Sequence, residues 1–159
     1  MRLGGAGKRV LGGKPVTGFE DEANEVFDAA ERAVGGAGKL VVEGIMYMNH
    51  PRTDWLREVV RESIATPSAG SCPPEHPIGP LVRMEGRFDI NLVGVEHAWT
   101  RFLHSMWGGA LMDLGCYPVG MSRLLMGAEP EILGARAEWA EVPEGETSPV
   151  DLACEAELI

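Results

Sequence analysis

Residues 9–42 have the sequence RVLGGKPVTGFEDEANEVFDAAERAVGGAGKLVV, and their pattern decides the fold class. The pattern predicts a short strand at Arg9–Leu11 and a second, buried strand at Leu40–Val42, with a helix between them. Thr17 and Glu20 form a capping-box pattern that predicts the start of this helix, and Gly35–Gly36 predicts its end. The apolar positions at helical spacing are Phe19, Ala23, Val26, Phe27, Ala30 and Val34. The strand–helix–strand order predicts an α/β chain.

Periodicity predicts two further helices downstream. One begins at about Thr53, and the other spans roughly Ala110–Met126 and ends at Gly127, a typical C-cap residue. Pro118 lies inside the later helix and predicts a kink there, because proline has no N–H for the Leu114 carbonyl. The apolar face predicted for the earlier helix consists of Trp55, Leu56, Val59 and Val60.

Alternating residues predict three more strands, at Leu81–Phe88, Leu133–Trp139 and Val150–Leu158. A stretch rich in Pro, Gly and Ser at about 66–80 predicts a surface-loop insertion. A strand with one apolar face needs neighbours, and a lone strand–helix–strand unit leaves sheet edges uncovered. We therefore expect the chain to be an internal stretch of a larger enzyme, cut at both ends.

Composition excludes several classes of protein. Hydrophobic residues make up 45% of the 159 residues and the formal net charge is −10, which is typical of a globular protein and argues against nucleic-acid binding. No apolar run is long enough for a membrane span or a signal peptide, so a cytoplasmic protein is expected. The three cysteines and four histidines show no metal-ligand spacing, and no metal is predicted. A phosphate loop is excluded because Pro15 follows Gly13 and Lys14.

The strongest chemical signal is the sequence WGGALMDLGCYPVGMSRLLMG at residues 107–127. Asp113 and Tyr117 are four residues apart and fall on one face of the predicted helix. A carboxylate beside a phenol could relay a proton from a substrate hydroxyl, and Gly108–Gly109 could let the backbone approach a ligand closely. From spacing alone, an ordinary Asp and Tyr on a half-buried helix is the more common meaning of this pattern.

Three segments together resemble the family of glucose–fructose oxidoreductase, inositol dehydrogenase and MocA. GKRVLGGKP resembles the family's GK-x-V-x-x-EKP segment, EGIMYMNHP its MYRxHP segment, and GGALMDLGCY its GGGALMDxGxY segment. The resemblance is strongest to the branch of dihydrodiol dehydrogenase and NADP-dependent D-xylose dehydrogenase. It implies the tail of a Rossmann-like dinucleotide-binding domain at 1–44, and at 45–159 part of a C-terminal α/β (α+β) domain. The second domain would contain an open antiparallel sheet that commonly forms the subunit interface, so a homo-oligomer is expected.

The resemblance also implies roles for individual residues. Tyr117 would be the general acid/base, and Lys14 would hold substrate and nicotinamide ribose, its charge favouring a deprotonated phenol. Asp113 would bind a substrate hydroxyl and orient Lys14. Pro15 would turn Lys14 toward the cofactor, through a cis bond as in the family. Tyr47 and His50 would line the substrate cleft, although a packing role for Tyr47 is an equal alternative. The reaction implied is hydride transfer between NADP (or NAD) and a sugar or diol, such as D-xylose or a trans-dihydrodiol.

The sequence departs from the family pattern at three motif positions. Gly13 replaces a glutamate before the lysine, Met48 replaces an arginine, and Trp107 replaces the first of three glycines. The GxGxxG fingerprint is not found in the chain, and with it the basis for choosing between NAD and NADP is missing. These departures leave a second hypothesis open, a non-catalytic homologue that serves as a binding or oligomerisation module.

Overall fold

The computed structural model describes residues 9–32, 40–65, 78–92, 94–95 and 98–159. The chain divides into two compact units, 1–50 and 51–159, which are considered separately below. Both contain helices, and each contains a small two-stranded sheet, which confirms the α/β class in its coarse form. The assignment of 1–44 and 45–159 to particular domains remains a prediction.

The first unit is the strand–helix–strand element that the sequence predicts. Strand β1 spans Val10–Gly12, helix α1 spans Glu20–Arg32 and strand β2 spans Val41–Glu43. The strands are parallel, with Val10 opposite Val41, and parallel neighbours need a crossover connection such as α1. The predicted helix end at Gly35–Gly36 lies outside the described residues.

The predicted capping box at the start of α1 is wrong. The Thr17 hydroxyl donates to the Phe19 carbonyl (3.0 Å) and caps no amide. The helix begins three residues later than Thr17, so Glu22 occupies its third position, and its Oε2 accepts a hydrogen bond from the Gly18 amide at 3.2 Å. The reciprocal carboxylate contact therefore exists, but Glu22 makes it and Glu20 does not.

Helix α2 opens the second unit and spans Pro51–Ala65, two residues longer at its start than predicted. Proline suits the first helical turn because the N–H that it lacks would have no partner there. The predicted apolar face is right for Val59 and Val60, which are buried, and wrong for Trp55, whose surface is 61% exposed. The buried stripe is completed by Thr53 and Ser63, and the Ser63 hydroxyl is satisfied by the Val59 carbonyl at 3.0 Å.

The strand predicted at Leu81–Phe88 is wrong. The segment belongs to no sheet of the described residues. Charged residues two apart nevertheless pair with each other, as residues on one side of an extended chain can. Arg83 accordingly pairs with Glu85 (2.9 Å) and Arg87 with Asp89 (2.5 Å). A strand requires a partner strand, which the alternation of residues within one segment does not supply.

The third predicted helix is present but begins with a wider turn. Leu111–Gly115 form a π-helical turn, which passes directly into helix α3 at Cys116–Met126. Pro118 lies in the first turn of α3, three residues after this wider turn, and an irregularity before it is expected because proline has no N–H. Gly127 ends the helix with φ of 67°, which confirms the predicted C-cap. Helix α3 packs against α2 and buries Leu125.

The last two strands are confirmed and form an antiparallel pair. Strand β3 spans Ile132–Trp139 and β4 spans Asp151–Leu158, with Arg136 opposite Glu155. The expected apolar face is not covered by any described residue, since almost every position of both strands is exposed. The core of this unit instead lies between α2 and α3, with Val150 buried just before β4.

Candidate active site at the start of the third helix

Gly108 and Gly109 fix the chain where it enters the π-helical turn. The Gly108 amide donates to the Leu103 carbonyl (2.9 Å), and the Gly109 amide donates to the Arg101 carbonyl (2.8 Å). A Cβ at Gly108 would lie 2.5 Å from the Arg101 carbonyl oxygen, and Gly109 has φ of 114°, which side chains disfavour. In the structure, the close backbone approach at these glycines is made to the protein's own chain, and the approach of a ligand there remains a prediction.

Asp151, at the start of β4, caps the same turn. Its Oδ2 accepts a hydrogen bond from the Leu111 amide at 2.6 Å, and its Oδ1 occupies the space that a Cβ at Gly109 would need. An acidic group at a helix start satisfies an amide and complements the helix dipole. Asp151 was not among the predicted site residues, because 40 residues separate it from its partner Leu111. The only signal is an acidic residue at the first position of a strand.

Asp113 and Tyr117 lie in consecutive turns of this helix. Asp113 belongs to the π-helical turn and its amide donates to the Gly109 carbonyl (2.9 Å), while Tyr117 lies in the first turn of α3. Both residues are half-buried. Single π-helical turns inside α-helices occur frequently at functional sites. The local structure is therefore compatible with the predicted pair, while the catalytic roles themselves stay predictions.

Arg101 forms an ion pair with Asp113, through its Nη1 and the carboxylate Oδ2. The Asp113 side chain is 20% exposed and that of Arg101 is 41% exposed. Arg101 was not among the predicted site residues, and the predicted relation between Asp113 and Lys14 remains a prediction. No periodic signal marks Arg101, because it lies 12 residues upstream in a separate 3₁₀ turn, Ala98–Phe102. Within the second unit, the predicted carboxylate thus has an arginine as its charged neighbour.

The ring of Tyr117 is held by Phe88. Their centroids are 5.2 Å apart with an interplanar angle of 77°, the edge-to-face arrangement that aromatic pairs prefer. Phe88 belongs to the segment 81–92, and this segment passes close to α3 because Gly86 has no side chain. A Cβ on Gly86 would come within 3.1 Å of Pro118 Cβ. The segment therefore forms a wall beside the phenol.

The other predicted site residues belong to the first unit and follow the carboxyl ends of its strands. Lys14 is half-buried just after β1, and the Lys14–Pro15 peptide bond is cis, as the resemblance implies. Tyr47 is half-buried in a 3₁₀ turn after β2, Met46–Asn49, and His50 is exposed at its end. Their assignment to one site with Asp113 and Tyr117 remains a prediction.

A hydrogen bond from the backbone anchors the loop that carries Lys14. The Val16 amide donates to Oε1 of Glu43, the last residue of β2, at 2.8 Å, and the Gly44 amide donates to the Gly12 carbonyl at 2.8 Å. The loops after β1 and β2 are therefore tied to each other. In the parts of the chain that the structure describes, no group of three His, Cys, Asp or Glu side chains could hold a metal ion. No described helix is long and apolar enough to cross a bilayer.

Comparison with known proteins relates the chain to sugar oxidoreductases. It is 31% identical over 134 residues to dTDP-3,4-didehydro-2,6-dideoxy-alpha-D-glucose 3-reductase of Actinomadura kijaniata, covering 82% of this chain and 33% of the relative. It is 31% identical over 127 residues to D-xylose 1-dehydrogenase (NADP(+)) 2 of Haloferax volcanii, covering 79% and 33%. An uncharacterized oxidoreductase of Rhizobium meliloti is 30% identical over 132 residues, covering 82% and 34%.

The chain spans about a third of the length of the curated relatives that it matches. No family model and no solved structure matches it. The similarity confirms the predicted relation to sugar oxidoreductases in general. It leaves the particular branch as a prediction.

Proposed function

We propose that this chain is part of an oxidoreductase of the glucose–fructose oxidoreductase, inositol dehydrogenase and MocA family. It would transfer a hydride between NADP (or NAD) and a hydroxyl-bearing carbon of a sugar or diol, such as D-xylose or a trans-dihydrodiol. The observation that carries the proposal is the pair Asp113 and Tyr117, which lie in consecutive turns of one helix. Hydrogen bonds of Gly109 and Asp151 hold the start of this helix. Similarity at about 30% identity to a sugar reductase and an NADP(+) xylose dehydrogenase supports it.

Tyr117 is the proposed general acid/base. When the alcohol is oxidised, its C–H bond breaks with the electron pair leaving as hydride, the hydroxyl proton passes to the phenolate oxygen, and a carbonyl forms. The edge-on contact with Phe88 restricts the ring, so the oxygen is presented from a defined position. Asp113 accepts a hydrogen bond from a second hydroxyl of the substrate and orients the sugar relative to the phenol.

The position of two loops in the first unit supports the proposal of a nicotinamide cofactor. In parallel α/β sheets, ligands bind outside the carboxyl ends of the strands, and the loops after β1 and β2 both lie there. Lys14 and Pro15 would hold the cofactor, with Tyr47 and His50 beside the substrate. The cofactor supplies the hydride acceptor, and the chain supplies binding and proton transfer. Residues 1–44 would then be the end of the dinucleotide-binding domain and 45–159 part of the substrate domain.

The exposed sheet supports the expectation of a homo-oligomer. Leu133, Trp139 and Leu152 are all exposed on β3 and β4. Exposed apolar residues on one small sheet favour burial against another surface. We include self-association through this sheet in the proposal, as the family resemblance implies.

The test is to assay the protein expressed from its complete transcript with NADP and D-xylose, and to titrate it with NADPH by fluorescence. Tyr117→Phe should reduce turnover by about 10²–10⁴-fold, because it removes the group that accepts the proton, while leaving NADPH affinity unchanged. Asp28→Asn, an exposed carboxylate paired with Arg32 in α1, is the control and should behave as wild type. Full activity in Tyr117→Phe would refute the assignment. The absence of saturable NADPH binding would favour the non-catalytic module.

A further inference from the structure

The ion pair between Arg101 and Asp113 has a composition that fits two neighbouring hydroxyl groups. We propose that it binds a vicinal diol of the substrate, the Asp113 carboxylate accepting from one hydroxyl and the Arg101 guanidinium donating to the oxygen of the next. Arg101 is then a specificity-determining residue. The inference rests on the proposed function and names the substrate feature that the site selects.

Burial distinguishes this ion pair from the others in the described parts of the chain. The Asp113 side chain is 20% exposed, whereas the acidic partner in every other described pair is at least 56% exposed. Exposed pairs on a surface contribute little to stability and are easily exchanged. A carboxylate withdrawn from water beside a partly exposed arginine has a more persistent geometry, which is a requirement for recognition.

The guanidinium retains donors for a ligand. A guanidinium carries five N–H groups, and Arg101 uses Nη1 for Asp113. Among the described residues, no other group accepts a hydrogen bond from its Nε or Nη2. Because the side chain is 41% exposed, these donors are accessible to a small solute that approaches Asp113.

Backbone hydrogen bonds hold the segments that carry the two charged groups in a fixed relative position. The Arg101 carbonyl accepts the Gly109 amide at 2.8 Å, and the Gly109 carbonyl in turn accepts the Asp113 amide at 2.9 Å. One short chain of hydrogen bonds therefore links the residue that carries the guanidinium to the residue that carries the carboxylate. Asp151 fixes the same turn through the Leu111 amide. Such support from neighbouring groups is what a recognition site needs to hold its geometry.

Charge indicates the class of ligand. The carboxylate repels phosphate and other anions, and the guanidinium repels metal ions, so the pair as a whole favours a neutral ligand. A carboxylate only accepts hydrogen bonds and a guanidinium only donates them, whereas a hydroxyl can do both. Two adjacent hydroxyls of a sugar meet both requirements at once.

The first experiment compares matched ligands on the wild-type protein. Binding of trans-cyclohexane-1,2-diol, cyclohexanol and D-xylose is followed by NMR through the Nε–H signal of Arg101. We expect the diol and D-xylose to shift this signal with saturation and cyclohexanol to bind at least about tenfold more weakly, as expected for a lost hydrogen bond to a charged group. Equal affinity for diol and cyclohexanol, or no shift with either diol or D-xylose, would overturn the inference.

The second experiment changes the arginine. Arg101→Met should weaken D-xylose binding about tenfold or more, and Arg101→Lys should restore part of the affinity because it keeps the charge without the planar fork. Arg136→Met is the matched control, since Arg136 pairs with Glu155 on the exposed sheet. Unchanged binding in Arg101→Met, or an equal loss in the control, contradicts the proposal. If Arg101→Met does not fold, Arg101→Lys and the ligand comparison decide.

The two proposals fail in different ways. Hydride transfer from D-xylose to NADP that continues unchanged in Arg101→Met overturns the role of Arg101 and leaves the proposed function standing. Diol binding that depends on Arg101, in a protein that never reduces NADP, supports the diol site and overturns the proposed function.

Discussion

Replacement of Gly109 by alanine should be among the most damaging single substitutions in the second unit. The glycine has φ of 114°, a backbone conformation that costs an L-residue about 1–3 kcal/mol. The new methyl group would also occupy the position of Asp151 Oδ1 and force the carboxylate away from the Leu111 amide. Loss of a hydrogen bond to a charged group costs a further 1.5–3 kcal/mol or so. We therefore expect a loss of about 2.5–6 kcal/mol in the free energy of unfolding, measured by urea titration.

Three other glycines separate the contributions to this loss. Gly127→Ala introduces the left-handed φ of 67° without a steric neighbour and should cost about 1–2 kcal/mol. Gly108→Ala introduces only close contacts, with the Arg101 and Leu103 carbonyls, while Gly134→Ala introduces neither strain nor contact and should be neutral or slightly stabilising. If Gly109→Ala lowers the free energy of unfolding no more than Gly127→Ala does, then the contact with Asp151 is not the reason that position 109 needs a glycine. Adding Asp151→Ala to Gly109→Ala should cost little more, because the hydrogen bond is already lost.

Two further predictions concern the surroundings of this turn. The Ser105 hydroxyl and amide donate hydrogen bonds to the Glu146 carboxylate (2.5 and 2.8 Å) and lower its pKa. The contribution of Glu146 to the stability of the fold is therefore complete at a pH above its ordinary pKa of 4.5, and it is lost as the pH falls below that value. Glu146→Gln should lower stability at neutral pH and lose less on acidification than wild type does, in urea titrations at several pH values; an identical acid profile, or the same effect in Glu144→Gln, would contradict this. Phe88→Leu should remove about 0.5–1.5 kcal/mol of coupling to Tyr117, measured by a double-mutant cycle with Tyr117→Leu, and strict additivity would exclude the ring contact as a source of stability.

The parts of the fold that were predictable are those that local sequence encodes. Strands β1 and β2, helix α1 and the end of α3 follow from periodicity and from glycine at Gly127, because each depends on residues within a few positions. The strand predicted at Leu81–Phe88 failed for the opposite reason. Alternation specifies an extended conformation, whereas a sheet requires a partner strand that the segment itself does not encode.

The same distinction separates the predicted from the missed parts of the candidate site. Asp113 and Tyr117 are close in sequence, so their relation on the helix could be predicted. Arg101 contacts the same turn from 12 positions upstream of its partner Asp113. Asp151 contacts it from 40 positions downstream of its partner Leu111. Neither carries a pattern of its own, because an arginine in a short turn and an aspartate at a strand start are common surface residues.

The glycines before the helix have a structural role that the sequence did not indicate. Gly108 and Gly109 were predicted to let the backbone approach a ligand, and the space that a Cβ would need at these positions is occupied by the Arg101 carbonyl and the Asp151 carboxylate. Glycines beside a site can therefore serve to leave the space that lets charged residues such as Arg101 and Asp151 approach it. The backbone of Trp107 fits the same pattern. Its φ of 58° is a conformation that glycine adopts freely, so the glycine that the family pattern has at this position would fit there without strain. The glycines thus leave room for the groups that hold the turn carrying the Asp113 carboxylate. A ligand would contact Asp113 and Arg101, and the glycines would support that contact indirectly.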